Sequence, residues 1–335
     1  DRSITAGTDL ANCNNLLHNV VDVGAVRYVP SPDGTTIGPL PGYRPRTTRT
    51  YAGGRDAIYD EPLNFARFGE EQIINQQERK SVYLATDFAF DSINWKTQFL
   101  FNRRETETFR WRQFFPRIQA PADSGFTGVI RPIMPFKSQQ DVTVDYFYGA
   151  TKLDGLFKGT DTWGWEVNAN FSHSKGKYGN LGIQASKTGD VDYTDDAPTL
   201  NYLDPGYLSG AKVDELTNLL GVWDWGKTIY KQATVNAVVS GDLFELPAGA
   251  VGVAAVLEYR YYSINDQPGE LSKAQDLWGS SSANVTKGDD RVKEAFVEFD
   301  VPLLKGLPGV ESLSLNASGR AFQYDSVDGT DEVWK

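Results

Sequence analysis

The fold class this sequence predicts is all-β: a transmembrane antiparallel up-and-down β-barrel, with about eight strands of a larger barrel present in the chain. Three observations predict it. Segments of about ten residues alternate apolar and polar side chains with period two. The links between them switch between short turns and long polar loops, the pattern of a membrane barrel. The composition sets 16 Tyr, 18 Phe and 8 Trp beside 32 Gly and only 1 Met, which suits strands, turns and interface girdles rather than helices.

The elements follow in order. Residues 1–77 are rich in Gly, Pro, Thr and Arg, as in Pro39-Leu40-Pro41-Gly42-Tyr43-Arg44-Pro45-Arg46. They are expected to form a long extracellular loop region, and residues 78–335 to hold the barrel strands. In 78–90, Val82, Leu84, Phe88 and Phe90 share one face, while Tyr83, Ala85, Asp87 and Ala89 share the other. Beyond Asp91-Ser92, one face carries Ile93, Trp95, Thr97, Phe99 and Phe101. A two-residue turn fixes the register, because paired residue numbers then sum to a constant. It sets Phe88 opposite Trp95 and Asp87 opposite Lys96, aligning an apolar face and a charge pair at once.

Further strands are expected around residues 142–148, 163–171, 233–239, 251–259, 295–301 and 313–319. Short links are expected near 91–92, 155–160, 244–250 and 303–310, and long polar links at 104–140, 174–228 and 263–290. In the second long link, Val213, Leu216, Leu219 and Leu220 sit at helical spacing, with Gly221 placed to end a helix. Alternation assigns Phe88, Trp95, Phe99, Val144, Val167, Val235, Val253, Val297 and Leu315 to the lipid face. Asp87, Lys96, Asp145, Glu166, Asn168, Glu258, Arg260, Glu294, Glu298 and Arg320 are expected toward the lumen.

Several function classes fall away. The formal charge is -11 and no Lys/Arg stripe stands out, so no nucleic-acid partner is expected. Cys13 is the single cysteine; no internal disulfide and no cysteine metal site are expected. The longest apolar run, 251–257, is far too short for a transmembrane helix, which leaves barrel strands untouched. The chain starts at Asp1 without an initiator Met and ends on Glu332-Val333-Trp334-Lys335 as a new alternating segment begins. An internal piece of a longer polypeptide is expected.

Several segments resemble the barrel of TonB-dependent outer-membrane receptors. They are Asn64-Phe65-Ala66, Gln77-Glu78-Arg79-Lys80-Ser81-Val82-Tyr83-Leu84 and Phe101-Asn102-Arg103-Arg104. The most specific is Gly241-Asp242-Leu243-Phe244-Glu245-Leu246-Pro247-Ala248-Gly249, continued by Val251-Gly252-Val253 and Glu258-Tyr259-Arg260. Glu294-Ala295-Phe296-Val297-Glu298, Val301-Pro302-Leu303-Leu304 and Gly319-Arg320 complete the likeness, which runs roughly over 64–324 with the long loops unmatched. The resemblance implies a Gram-negative outer-membrane protein with a plug inside a 22-stranded barrel. It also implies a TonB box through which the TonB–ExbB–ExbD complex supplies energy. Neither plug nor box is visible in this sequence.

No catalytic constellation emerges, so no enzyme activity, cofactor or metal is expected. His18 and His173 are isolated and expected in loops or at a loop edge. Tyr51-Ala52-Gly53-Gly54 lacks the strand-to-helix setting of a phosphate loop. The lumen charges can guide solute or contact a plug; cross-strand pairing in a wet interior is the plainer reading. Trp111, Trp223, Trp225 and Trp278 are candidate ligand-stacking residues in loops, and interface or packing roles suit them equally. The acidic runs 192–196 and 325–331 lack EF-hand spacing and read as solvated loops. The expected function is energy-coupled uptake of a bulky, scarce nutrient such as siderophore-iron or an oligosaccharide, with outer-membrane lipid as surroundings. The rivals are a passive porin or structural barrel in an envelope assembly, and a secreted sugar-active all-β enzyme, whose paired carboxylates cannot be picked out here.

Overall fold

The computed structural model describes residues 20–24, 26–31, 33–45, 48–50, 56–58 and 71–335. Cys13, His18, the 51–54 glycine pair and Asn64-Phe65-Ala66 lie outside the described residues. The chain is mostly β. Its main element is one sheet of β1 (Gln76–Phe90), β2 (Ile93–Phe114), β3 (Met134–Leu156), β4 (Gly164–Ile183), β5 (Gly221–Leu246), β6 (Gly249–Gln267), β7 (Thr286–Leu307), β8 (Val310–Tyr324) and β9 (Asp331–Trp334). Neighbours follow sequence order and every pair is antiparallel. The sheet does not close on itself; β1 and β9 are its edges.

The up-and-down order matches the alternating links, with two corrections. There are nine strands rather than eight, because the final alternating segment does pair with β8. The strands are also much longer than expected: β5 runs for 26 residues and β2 for 22. The sequence hid this because alternation is a hydropathy signal. Past Phe101 the odd positions of β2 become Arg103, Glu105 and Glu107, so both faces are polar while the ladder continues. The long links shrink accordingly to 115–133, 184–220 and 268–285.

The first hairpin has the predicted register. Phe90 pairs with Ile93, Phe88 with Trp95 and Asp87 with Lys96, and the last two join Nζ to Oδ2 at 3.4 Å. Asp91 carries a φ of 44°, the left-handed geometry such a tight turn needs and one that Asp tolerates.

Following the register across all strands assigns one face to each residue. Phe88, Trp95, Phe99, Val167, Val235, Val253, Val297 and Leu315 share the first face. Asp87, Lys96, Glu166, Asn168, Glu258, Arg260, Glu294, Glu298 and Arg320 share the second. β3 is the exception. Phe147 pairs with Phe101 and Leu153 with Trp95, so the odd residues of β3 join the apolar face. Val144 therefore lies on the polar face, beside Arg104, and Asp145 lies on the apolar-belt face, opposite Arg103. The expected orientation of both is reversed. In this stretch both faces of β3 carry large apolar residues, and the long link before it fixes no parity.

The long links are packed structure, not bare loops. Val21–Val23, Val26–Pro30 and Tyr43–Pro45 combine with Ile118–Gln119 and Val129–Pro132 into a second, five-stranded antiparallel sheet. A separate two-stranded pair joins Thr48–Thr50 to Asp56–Ile58. The region before the first long strand thus holds short strands where an unbroken loop is expected. Link 184–220 forms α1 (Pro205–Ser209) and α2 (Val213–Leu220). Val213, Leu216 and Leu220 of α2 are buried, as the spacing predicts, whereas Leu219 is exposed. Gly221 is the C-cap; a Cβ there would meet the Thr217 carbonyl oxygen at 2.2 Å. Link 268–285 holds α3 (Glu270–Ala274).

These pieces converge on one core at the long-link end of the main sheet. It contains Val21, Leu40 and Tyr43, then Phe114, Ile130 and Met134, then Tyr202, Leu208, Leu216 and Leu220. We call this assembly the cap. Among the described residues no helix is long and apolar enough to cross a membrane.

Candidate functional site: a cleft between sheet and cap

Where the polar face of the sheet runs under the cap, a cleft of about 790 Å³ opens, within the usual range for small-molecule sites. Its floor comes from three strands. Thr108, Arg110 and Arg112 of β2 alternate along one face, beside Phe136, Ser138 and Gln140 of β3 and Asn180 and Gly182 of β4. The register sets Arg110 opposite Ser138 and Gln140 opposite Asn180. The cap supplies the other wall through Phe115, Arg117, Arg131, Asp190, Asp192, Tyr193, Leu277 and Trp278.

The cap wall is held firmly. Trp278 stands edge-on to Phe114 and Phe115, with centroids 4.9 and 4.8 Å away, and its indole N–H donates to Asp190 Oδ2 at 2.8 Å. Asp190 is 2 % exposed and its other oxygen accepts from the Asp192 amide at 3.0 Å. The Tyr202 hydroxyl donates to the Thr188 carbonyl at 2.8 Å; burial, seconded by Asp190, pushes its pKa well above the ordinary phenol value. Links 184–220 and 268–285 are sewn together at Asp276. Its carboxylate accepts from Gln184 Nε2 and the Ser186 amide, each at 2.7 Å. Burial opposes ionisation of Asp276, but those hydrogen bonds outweigh it and hold the carboxyl below its usual pKa. Asp224 of β5, 6 % exposed, accepts from the Leu271 and Ser272 amides at 3.1 Å and so caps α3 from outside.

Four arginines line the cleft. Arg117 pairs with Asp192 at 2.6 Å and Arg131 with Asp22 at 3.1 Å. Arg110 and Arg112, both exposed, form no ion pair with any described residue. Among the described residues the cleft therefore offers two unpaired guanidinium forks, amide and hydroxyl groups, and aromatic edges. This is recognition chemistry for a polar or anionic solute.

The four candidate tryptophans are dispersed. Trp278 lines the cleft. Trp111 lies within β2 rather than in a loop, 3 % exposed, edge-on to Phe109 at 5.2 Å. Trp223 and Trp225 lie within β5, stacked on each other at 5.3 Å, on the face opposite to the cleft residue Asn180 and its partner Asp224. A Cβ on Gly179 would come within 2.6 Å of the Trp225 ring, so that glycine seats the indole. All three were misplaced because the strands extend past the point where alternation fades. His173 is likewise inside β4, beside Phe147. Arg110 and Arg112 were missed for the same reason; their period-two spacing was the available signal.

The polar-face charges pair across strands. Lys152 bonds Glu166, and Asn168 bridges Glu166 at 2.6 Å and Asn236 at 2.9 Å. Glu258 and Glu294 stand directly opposite. Arg260 joins them at 2.9 and 3.2 Å, and Arg320 adds 2.6 Å to Glu294. Glu298 accepts from Asn316 at 2.6 Å. The face also carries an apolar row, Val238, Val256 and Phe296, side by side on β5 to β7. Asp192 and Asp325 of the acidic runs pair with Arg117 and Arg291, and no three potential metal ligands cluster among the described residues.

Compared with known proteins, the chain matches no family model, no curated protein and no solved structure.

Proposed function

We propose that this chain is part of the outer-membrane β-barrel of a TonB-dependent transporter, which takes up a bulky, scarce nutrient with energy from the TonB–ExbB–ExbD complex. The observation that carries the membrane part is an apolar belt on one face of the sheet, level from β2 to β5. It runs from Ile93 to Phe101 on β2, from Trp165 to Phe171 on β4, and from Ala233 to Val239 on β5, in mutual register. Phe88, Phe99, Phe171, Val235, Leu257 and Leu315 are all exposed on it. Eight steps at ~3.4 Å span roughly 27 Å of strand, or roughly 21 Å of bilayer at a tilt of ~40°, close to the ~25 Å band of such barrels.

The belt ends abruptly. Lys80, Arg103, Asp145 and Lys175 stand in one cross-strand row just past it. A soluble sheet would bury such a face under a second layer. The two open edges are where further strands would extend the sheet to a closed barrel. The transport part leans on the sequence resemblance and on a cleft at the long-link end, where a solute would arrive from outside.

The test begins with the parent protein in its own cells. It is expected in the outer-membrane fraction, with heat-modifiable gel mobility, and with Trp95 and Trp165 quenched by lipids brominated in their acyl chains. Recovery in the soluble fraction would overturn the membrane reading. Nutrient uptake that survives collapse of the proton-motive force would instead favour a passive porin.

A further inference from the structure

Past the belt, β2 and β3 sort their charges by face. The belt side gathers Glu105, Glu107, Asp141 and Asp145 beside Arg103 and Lys137, with Glu107 directly opposite Asp141. Arg103 there holds Asp145 at 2.8 Å. The polar side of the same stretch of β2 reads Arg104, Thr106, Thr108, Arg110 and Arg112. Its cross-strand partners on β3 are Val144, Val142, Gln140, Ser138 and Phe136. That side thus carries three arginines and no acid, in a chain of net charge -11. On β1, Arg79 stands directly opposite Arg104, an arrangement that destabilises a sheet. The strip runs into the cleft at Arg110 and Arg112.

The acids that approach the cleft are already engaged. Asp190 accepts from the Trp278 indole through Oδ2 and from the Asp192 amide through Oδ1. Asp192 pairs with Arg117, and Asp22 with Arg27 and Arg131. Glu71, at the sheet edge, accepts from the Trp111 amide at 3.0 Å. Along the polar face the next acids at this level are Asp224 and Asp266, three and four strands from β2. Asp224 holds the start of α3, and Asp266 accepts from the Tyr178 hydroxyl at 3.2 Å. The donors, by contrast, are left over. The side chains of Arg110, Arg112, Thr108 and Ser138 form no hydrogen bond with a described residue. Asn180 accepts from Gln140 through Oδ1 at 3.0 Å, which leaves its amide nitrogen to donate.

We infer that the cleft binds an organic polyanion, a solute with two or more carboxylate or phosphate groups, through the guanidinium forks of Arg110 and Arg112. The inference deepens the proposed function and rests on it for the direction from which solute arrives. A surplus of donors over acceptors selects oxyanions, and guanidinium forks match carboxylate and phosphate oxygens two at a time. The two arginines stand on one strand face two residues apart, about 7 Å, so each can take its own acidic group. The volume of about 790 Å³ is far more than an inorganic ion fills, which points to an organic solute. Arg104 continues the same sign along the lumen beyond the cleft.

The experiment is isothermal titration calorimetry of the full-length parent protein in detergent with tricarballylate, fructose 1,6-bisphosphate and fructose. At least one of the two anions is expected to bind and fructose is not; the tighter anion identifies the oxyanion. Arg110→Gln/Arg112→Gln is expected to weaken that anion roughly hundredfold, the effect of two charge-assisted hydrogen bonds. Arg110→Lys/Arg112→Lys keeps the charge and loses the forks, and is expected to weaken it about tenfold. The control Arg103→Gln/Lys137→Gln removes equal charge from the opposite face of the same strands and is expected to change it less than about threefold. Binding of neither anion, fructose bound as tightly as its bisphosphate, or equal losses in the first variant and the control would overturn the inference. Thermal melting of each variant separates lost binding from lost fold. Binding to purified protein requires neither the membrane nor the proton-motive force. Anion binding that persists while uptake ignores that force would therefore overturn the energy-coupled reading and leave this inference standing.

Discussion

The belt half of the sheet and the cap at its other end are built on opposite principles. Around the belt, Phe88, Phe99, Val235 and Leu315 remain exposed, and backbone ladders rather than side-chain packing hold the strands. In the cap, short strands, two small helices and irregular links enclose Phe114, Leu208, Leu216 and Tyr202 almost completely. Among the described residues, Val292 is the one side chain under 2 % exposure that lies away from the cap. A chain that can build a close-packed core at one end and leaves a continuous apolar face at the other has not failed to fold that face. On the membrane reading proposed above, the difference is that the two ends meet different solvents.

The comparison breaks first, and most severely, at Phe114. It is fully buried between the Tyr202 and Trp278 rings. Phe114→Ala is expected to cost about 3–5 kcal/mol, read by urea unfolding through the near-ultraviolet signal of the cap aromatics. The far-ultraviolet strand signal should persist; simultaneous loss of both would show that cap and sheet are one cooperative unit. Val235→Arg probes the belt. It is expected to cost about 2–4 kcal/mol in a bilayer, measured by reversible folding into vesicles. A cost under ~0.5 kcal/mol is what a water-facing site would give, and that result would remove the contrast altogether.

Smaller changes sharpen the picture within the cap. Asp224→Ala removes the acceptor at the start of α3 and is expected to cost about 1–2 kcal/mol locally, seen as faster exchange of the Leu271 and Ser272 amides. Acid should act at α1. Asp204 caps that helix through the Gly206 amide at 2.7 Å and pairs with Lys212 at 2.5 Å; Lys212, then the amide, hold its carboxyl below the ordinary 3.8. Because the folded pKa is the lower one, this contribution is complete above about 3.8 and fades as pH falls through the folded value. Amide protection factors around α1, which correct for the intrinsic pH dependence of exchange, should therefore fall below that pH and be flat above it, whereas Asp204→Asn should remove the dependence. The least effect is expected at the first hairpin. The Asp87–Lys96 pair has both side chains more than half exposed, so Asp87→Ala should change stability by about 0–1 kcal/mol and leave the register intact by disulfide cross-linking of flanking pairs.

The legible part of the fold was the part with a local rule. The hairpin at Asp91-Ser92 could be written residue by residue, because a two-residue turn leaves one register and the apolar alternation chose the same one. Val167, Val235 and Val253 fell on the right face for the same reason. Val144 and Asp145 did not: β3 carries Tyr146 and Tyr148 on one side and Phe147 and Leu153 on the other, so alternation is ambiguous and only the ladder with β2 decides. The α2 helix was readable from Val213, Leu216 and Leu220, since its buried stripe repeats within one turn of itself. The cleft was not readable. The period-two spacing of Arg110 and Arg112 marks a strand face but no site; they become one because link 184–220 and link 268–285 place Asp190 and Trp278 across from them.

By itself the sequence determined the class of the chain: antiparallel strands in order, short turns at one end, long links at the other, and one apolar face. Those follow from period-two hydropathy and turn chemistry, which act over a few residues. The tertiary structure alone decided how far each strand continues once both faces turn polar. It also decided which way β3 faces, and that four distant segments share one core. Each of these depends on hydrogen bonds and contacts between residues tens to hundreds of positions apart, such as the Tyr43 hydroxyl on the Leu203 carbonyl or Arg131 on Asp22, and no local pattern encodes them.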